Sequence, residues 1–328
     1  IGHNTFFYNY HYRKSENYPP NRTPDHALAC YVKMHRLIQQ KRPDLIISVL
    51  AFCSQAVSYY KSLSGCPVPL ITCITDITGH PEWINRCTDA YMAASDEVRS
   101  ALIQKGVPEN QIFVTGIPVR RKFKNRTASG NPRPKLLLMG CGLGLLPKRL
   151  DFYKLLNDAV PAEITLIAGK NEKLRQKLEN RFERIHVLGY VHNIETYFHD
   201  ADIVVTKPGG ITTFEAIHSE TPMIALNPKL HQEKYNADFI ERHHIGEQLA
   251  GASADSGILV CSSAGGSFSL AESSPVSSPG AGTSGSDSPS GGIVSGSCPS
   301  VSSGCCPSAS GISGSAPGAS VSSPVVGF

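Results

Sequence analysis

The sequence predicts an α/β fold of two parallel-sheet units facing a cleft, on three observations. Short continuous apolar runs alternate with amphipathic, polar segments from residue 25 to residue 242. A basic stretch at 120–134, with Gly130, Pro132 and Pro134 and no apolar periodicity, interrupts the series. After about residue 250 the pattern stops. Continuous apolar strands between helices belong to parallel sheets covered on both faces, and their alternation with helices makes an α/β architecture.

In the first unit, residues 1–119, the runs 45–50, 69–74, 90–94 and 112–115 read as strands, and 25–41 and 95–105 as helices. In the second, residues 135–250, strands are expected at 135–139, 163–168, 185–188, 202–206 and 222–226. Helices are expected there at 148–157, 171–181, 211–218 and 232–242. Residues 244–249 lead toward one more strand. Two such units joined by the linker 120–134 imply a cleft between them, the usual place for a small ligand.

The charge distribution sets the tail apart. All 31 Lys and Arg residues lie within 1–250, whereas 251–328 carry only Asp255, Glu272 and Asp287 as charged side chains. Ser, Gly and Pro fill more than half of that last segment. Such a composition offers too little apolar side chain to offset ordering entropy, so 251–328 is read as a disordered tail. No apolar run approaches the roughly 20 residues of a membrane span, and no signal segment opens the chain. The cysteines of the body (Cys30, Cys53, Cys66, Cys73, Cys87 and Cys141) lack paired spacing. Cys305-Cys306 lacks the company of a zinc site. A reducing cytoplasm is expected.

Four loops carry candidate chemistry. Residues 202–215 place a buried-type strand before Pro208-Gly209-Gly210 and a helix. There the free N–H groups of Ile211, Thr212 and Thr213 and the helix dipole favour an anion. The hydroxyls of Thr212 and Thr213 offer further donors, and Glu215 in the first turns suits ribose hydroxyls. The plainer alternative is a strand-end turn with a helix-starting Gly-Gly. Gly140-Cys141-Gly142-Leu143-Gly144 puts a second glycine-lined turn at a strand end, where parallel sheets bind ligands. It is not a Gly-x-Gly-x-x-Gly fingerprint.

After the strand at 222–226, Gln232 and Glu233 offer an amide and a carboxylate for sugar hydroxyls, or merely a solvated helix start. In the first unit, residues 75–83 gather Asp76, His80 and the single tryptophan, Trp83. Either Asp76 or His80 can accept a proton from a hydroxyl; the alternatives are a turn-capping Asp and a surface His. The basic segment 120–126, with Phe123 interleaved, is a solvated linker or a contact for anionic lipid headgroups. No nucleic-acid module accompanies it.

Taken in order, Thr-Asp-x-x-x-His-x-x-Trp (75–83), Val-Thr-Gly-Ile-Pro-Val (114–119), Leu-Gly-Tyr-Val (188–191), Thr-Lys-Pro-Gly-Gly-Ile-Thr-Thr-x-Glu-Ala (206–216) and Asn-Pro-x-x-x-Gln-Glu-x-x-Asn-Ala (227–237) resemble the monogalactosyldiacylglycerol synthase and processive diacylglycerol glucosyltransferase family. The resemblance covers about residues 1–250. It implies two Rossmann-like domains of the GT-B type and an inverting glycosyl transfer. The donor would be UDP-glucose or UDP-galactose, and the acceptor diacylglycerol. On this analogy Gly209, Gly210, Ile211 and Thr212 hold the diphosphate, Glu215 the ribose, and Gln232 and Glu233 the hexose. The backbone at Tyr190 and Val191 faces the uracil, and Gly142 lies in the glycine loop near the reacting centre.

Two departures stand out. His231 occupies a position where the family pattern has Gly. The family's opening strand and Gly-His loop have no counterpart at Ile1-Gly2-His3. The first domain is therefore expected to lack its first βα unit and the second its last elements. The tail is expected to be an out-of-frame ending from near residues 247–252.

The catalytic base is expected at His80 or Asp76, with no metal and no cofactor. The site of action would be an anionic membrane surface on the cytoplasmic face, without nucleic acid. Alternatives on the same fold are a lipid-linked N-acetylglucosaminyltransferase, a UDP-sugar epimerase, or an inactive nucleotide-sugar-binding fragment.

Overall fold

The computed structural model describes residues 5–124 and 133–249. The expectations for 1–4, for most of the linker and for the tail lie outside the described residues. Two parallel sheets carry the fold. The first has four strands, β1 (Ile46–Ser48), β2 (Leu70–Cys73), β3 (Ala90–Ala93) and β4 (Ile112–Val114), in that spatial order. The helices α1 (Thr5–Ser15), α2 (Ala27–Lys41), α3 (Ala51–Ser64) and α4 (Asp96–Gln104) accompany it.

The second sheet contains β5 (Lys135–Met139), β6 (Glu163–Ile167), β7 (Ile185–Leu188), β8 (Ile203–Thr206), β9 (Met223–Ala225) and β10 (Gly246–Gln248). Its helices are α5 (Leu150–Ala159), α6 (Glu172–Leu178), α7 (Ile194–Asp200), α8 (Gly210–His218) and α9 (His231–Arg242). Its strand order is β10-β9-β8-β5-β6-β7, so β5 pairs with both β6 and β8.

The apolar strands are continuous because both faces of the second sheet are covered. Leu136 and Leu138 of β5 pack with Phe152, Tyr153 and Leu156 of α5 and with Leu174 of α6. Leu137 and Met139 point the other way, into a cluster with Phe198, Ala216 and Ile240 from α7, α8 and α9. Successive residues of one strand thus serve two cores. The first sheet's core (Ile74, Tyr91, Ala93, Val98, Leu102, Ile112) also takes in Phe214 of α8 and Phe239 of α9.

Three helices depart from the sequence expectation: α1, α3 and α7 occupy segments to which no element was assigned. Phe123 departs as well. Residues Arg121–Lys124 form a 3-10 turn with Phe123 fully buried, edge-on to Phe198 at 5.4 Å between ring centroids. His199 Nε2 lies 3.2 Å from the Phe123 carbonyl. Phe123 is therefore a core residue and no lipid contact. Among the described residues no helix is long and apolar enough to cross a membrane.

Candidate active site

The chain order of the second sheet creates the site. From β5 the chain moves outward through β6 and β7, then returns to place β8 on the other side of β5. At this switch point the chain leaves β5 and β8 for opposite sides of the sheet, the arrangement in which open α/β sheets take ligands at the carboxyl ends of their strands. Gly140–Gly144 follows β5, and Lys207-Pro208-Gly209 follows β8. The two loops meet: Cys141 Sγ lies 3.9 Å from Thr212 Oγ1.

The glycine loop is interlocked with the turn after β6. Gly144 has φ +61° and a Cβ there would sit 1.9 Å from the Ala168 carbonyl oxygen, so only glycine fits. Lys170 N–H donates to the Gly142 carbonyl at 3.0 Å, and Asn171 Nδ2 to the Gly144 carbonyl at 3.0 Å. Gly142 itself is uncrowded; the nearest atom to a Cβ there is Tyr190 Cε2 at 4.0 Å. Tyr190 is exposed, and Lys170 Nζ stands 5.8 Å from its ring centroid. Val191 packs against the core beside α7. Lys170 was not singled out from the sequence, because an exposed lysine in a turn carries no local signal.

The first turn of α8 is open to solvent on one side and pinned on the other. Gly209 N-caps the helix, and Ile211 is half exposed. Gly210 abuts the first domain: a Cβ on it would lie 2.5 Å from the Thr75 carbonyl oxygen and 3.0 Å from Ile117 Cδ1. Thr212 is buried beside Cys141. Thr213 does not serve as expected, since its hydroxyl donates to the Gly209 carbonyl at 2.9 Å and the residue is fully buried. That bond ties Thr213 into the turn and leaves Thr212 as the hydroxyl near the switch point.

Glu215 is half-buried with no hydrogen-bond partner among the described residues. Burial pushes its carboxyl from the ordinary 4.5 up to about 7, with Arg120 opposing the rise and Glu195 adding to it. Arg120 links this region to the β7–α7 loop, 3.1 Å from buried Glu195 and donating to the His192 carbonyl at 3.2 Å.

Gln232 and Glu233 open α9 and have separate tasks. Glu233 is buried and engaged. One oxygen pairs with Lys207 Nζ at 2.6 Å, and the other accepts from the N–H groups of Lys229 and Leu230 at 3.1 and 3.2 Å. It joins the β8 turn to the start of α9, which is a more structural place than the sequence suggested. Asn236 Nδ2 adds a bond to the Pro208 carbonyl at 2.9 Å. Gln232 is half-buried, and its Oε1 accepts from the Tyr8 hydroxyl of α1.

On the first domain, Asp76 and His80 share a loop and differ in availability. Asp76 accepts from Trp83 Nε1 at 3.2 Å through Oδ2. Burial raises its carboxyl above the usual range, against the Trp83 bond and the nearby His80. His80 is buried. Its Nδ1 accepts from the Glu82 N–H at 3.3 Å, which leaves the proton on Nε2, 3.4 Å from the Tyr12 carbonyl and 3.3 Å from Ser15 Oγ. Tyr12 covers the ring at 4.4 Å. Neither nitrogen is free to take a substrate proton, which corrects the expectation of His80 as a base; it caps a turn and anchors α1. An Asp-x-Asp spacing occurs at Asp200-Ala201-Asp202. Both carboxylates serve the fold there: Asp200 pairs with Lys135 Nζ at 2.8 Å, and Asp202 accepts from Lys135 N at 2.8 Å.

The family model for monogalactosyldiacylglycerol synthase matches residues 2–119, and that for the glycosyltransferase family 28 C-terminal domain matches 146–260. The processive diacylglycerol β-glucosyltransferase of Bacillus cereus (strain AH187) is 32% identical over 223 residues, 64% of this chain and 57% of the relative. That of Bacillus thuringiensis (strain Al Hakam) is 31% identical over the same shares. The chain is similar to these diacylglycerol glycosyltransferases across both of its sheets. It spans little more than half the length of the curated relatives it matches.

Solved structures agree on the fold. MurG of Acinetobacter baumannii superposes with a TM-score of 0.52 at 14% identity, covering 71% of this chain and 69% of that one. The glycotransferase of kitacinnamycin gives 0.52 at 14%, covering 70% of each. The two parallel sheets thus have the GT-B arrangement of two Rossmann-like domains.

Proposed function

We propose that the chain is the body of an inverting glycosyltransferase that moves a hexose from UDP-glucose or UDP-galactose to diacylglycerol on the cytoplasmic face of an anionic membrane. The observation that carries this reading is the β5/β8 switch point, where the N-terminus of α8 meets the glycine loop. There the diphosphate lies against the N–H groups of Gly210, Ile211 and Thr212, with the helix dipole behind them. Glu215 accepts from the ribose hydroxyls, Tyr190 and Val191 border the uracil, and Gln232 meets the hexose. Exposed Phe6, Phe7 and Tyr10 on α1 supply the apolar surface that a lipid-facing enzyme needs.

The chemistry is a single displacement. The acceptor hydroxyl attacks the anomeric carbon, the bond from that carbon to the diphosphate oxygen breaks, and UDP leaves with the electron pair. The α8 terminus stabilises the charge that develops on the diphosphate. Asp76 takes the hydroxyl proton: Trp83 holds Oδ2, Oδ1 has no hydrogen-bond partner among the described residues, and its raised affinity for protons suits a base. The test incubates the chain with each labelled UDP-hexose and vesicles of diacylglycerol and an anionic phospholipid. Glycolipid with inverted anomeric configuration is expected, with Asp76→Asn slower by at least a hundredfold. UDP binding without any glycolipid would leave a nucleotide-sugar-binding protein instead.

A further inference from the structure

We propose that Tyr8 is a positioning residue of the donor site: its hydroxyl holds Gln232 Oε1 and thereby turns the amide N–H₂ of Gln232 toward the hexose. The inference rests on the reading of Gln232 as the sugar contact. The start of α9 holds two polar side chains suited to sugar hydroxyls, and Glu233 is already committed to Lys207 and two backbone N–H groups. Gln232 is what remains. An amide has one accepting and one donating end, and which end faces a ligand decides which hydroxyl geometry it rewards. Here the accepting end is taken by Tyr8. Burial, with Asp76, Glu82 and Glu233 nearby, keeps the phenol protonated against the opposing pull of the Gln232 bond.

The neighbouring residue completes the arrangement. Asn9 Nδ2 donates to the Lys229 carbonyl at 2.9 Å, and its Oδ1 accepts from the His231 N–H at 2.8 Å. These two bonds fix the backbone on which Gln232 stands. The far end of α1 is fastened to the other domain, through Tyr12 to Thr78 at 3.2 Å and through Ser15 to His80 at 3.3 Å. One helix therefore spans from the Asp76 loop to the sugar end of the donor site. It sets the orientation of an amide that belongs to neither α1 nor the first domain.

The experiment measures calorimetric affinities of the full chain for UDP and for each UDP-hexose, with thermal melts confirming folding. The variants are Tyr8→Phe, Gln232→Ala, the double variant and Gln232→Glu. Tyr8→Phe is expected to weaken UDP-hexose binding about fivefold, the worth of one neutral hydrogen bond, with UDP affinity unchanged. In the Gln232→Ala background it should have no further effect. Gln232→Glu, which accepts from Tyr8 but cannot donate to the sugar, should lose as much as Gln232→Ala. Equal weakening of UDP and UDP-hexose by Tyr8→Phe, an effect that survives in Gln232→Ala, or full binding by Gln232→Glu each overturns the assignment while leaving the glycosyltransferase reading intact. Absence of UDP binding in the unmodified chain overturns both.

Discussion

A half-buried carboxyl without a hydrogen-bond partner costs stability once it ionises, and among the described residues Glu215 has no such partner. Its affinity for protons rises from 4.5 in the ordinary state to about 7 in the fold, chiefly through burial. Below about pH 4.5 it is protonated whether the chain is folded or not. Between 4.5 and 7 the folded chain keeps a proton that the unfolded chain has released, so stability falls as pH rises through that window. Above 7 the loss is complete. Glu215→Gln should flatten the pH dependence of thermal unfolding across this window and raise the melting temperature near pH 8 by a few degrees. The same variant should bind UDP more weakly, because the carboxylate is the acceptor for ribose. An unchanged melting profile, followed by circular dichroism from about pH 5 to 8, would show that Glu215 ionises freely. Nothing in the sequence around Glu215 announces this cost; it arises because the fold buries the carboxyl, and Arg120, brought in from a distant segment, offsets it only in part.

At the scale of the element, the strand–turn–helix unit β8–α8 was the most legible part of the chain. Its signals are local: a buried strand, two glycines and a helix with a free N-terminus. What the sequence could not convey is the reason for the second glycine. Gly210 lies in a helix, where alanine is ordinarily favoured by about 1 kcal/mol. The Thr75 carbonyl at 2.5 Å from a built Cβ reverses that preference. Gly210→Ala must part α8 from the first domain at a cost of about 1–3 kcal/mol. It should lower both the melting temperature and UDP affinity, the latter at least tenfold in a titration. Phe123→Ala removes a fully buried ring packed on Phe198 and should cost about 3–5 kcal/mol in urea unfolding. The basic residues around Phe123 hid this anchor. The helices α1 and α3 were hidden for related reasons. In α3 no breaker separates the helix from β1, and Leu50 at its N-cap makes no side-chain cap. In α1 a sequence dominated by aromatic and polar residues gains its order from Tyr8, Asn9, Tyr12 and Ser15, whose partners lie far along the chain.

For the molecule as a whole, the two sheets differ in width among the described residues. The second is six strands wide and covered on both faces, with the proposed site at the interior pair β5/β8. The first has four described strands and ends in β1, which pairs only with β2. Around that edge Leu45, Ile47, Val49, Leu50 and Phe52 are exposed, and the run from 45 to 52 carries no charge. Natural sheets guard an edge with charges, bulges or a covering element, because unpaired backbone groups beside apolar side chains template further strands. Among the described residues no charged side chain or bulge stands on β1. The chain is therefore expected to associate through this edge at micromolar concentration, measurable by light scattering coupled to size-exclusion chromatography. Ile47→Lys, which puts a charge at an exposed position of the edge strand, should shift the population to monomer. It should leave UDP affinity unchanged, since β1 lies in the other sheet from the switch point. Association that persists in Ile47→Lys would place the contact elsewhere, with the exposed aromatics of α1 the next surface to alter.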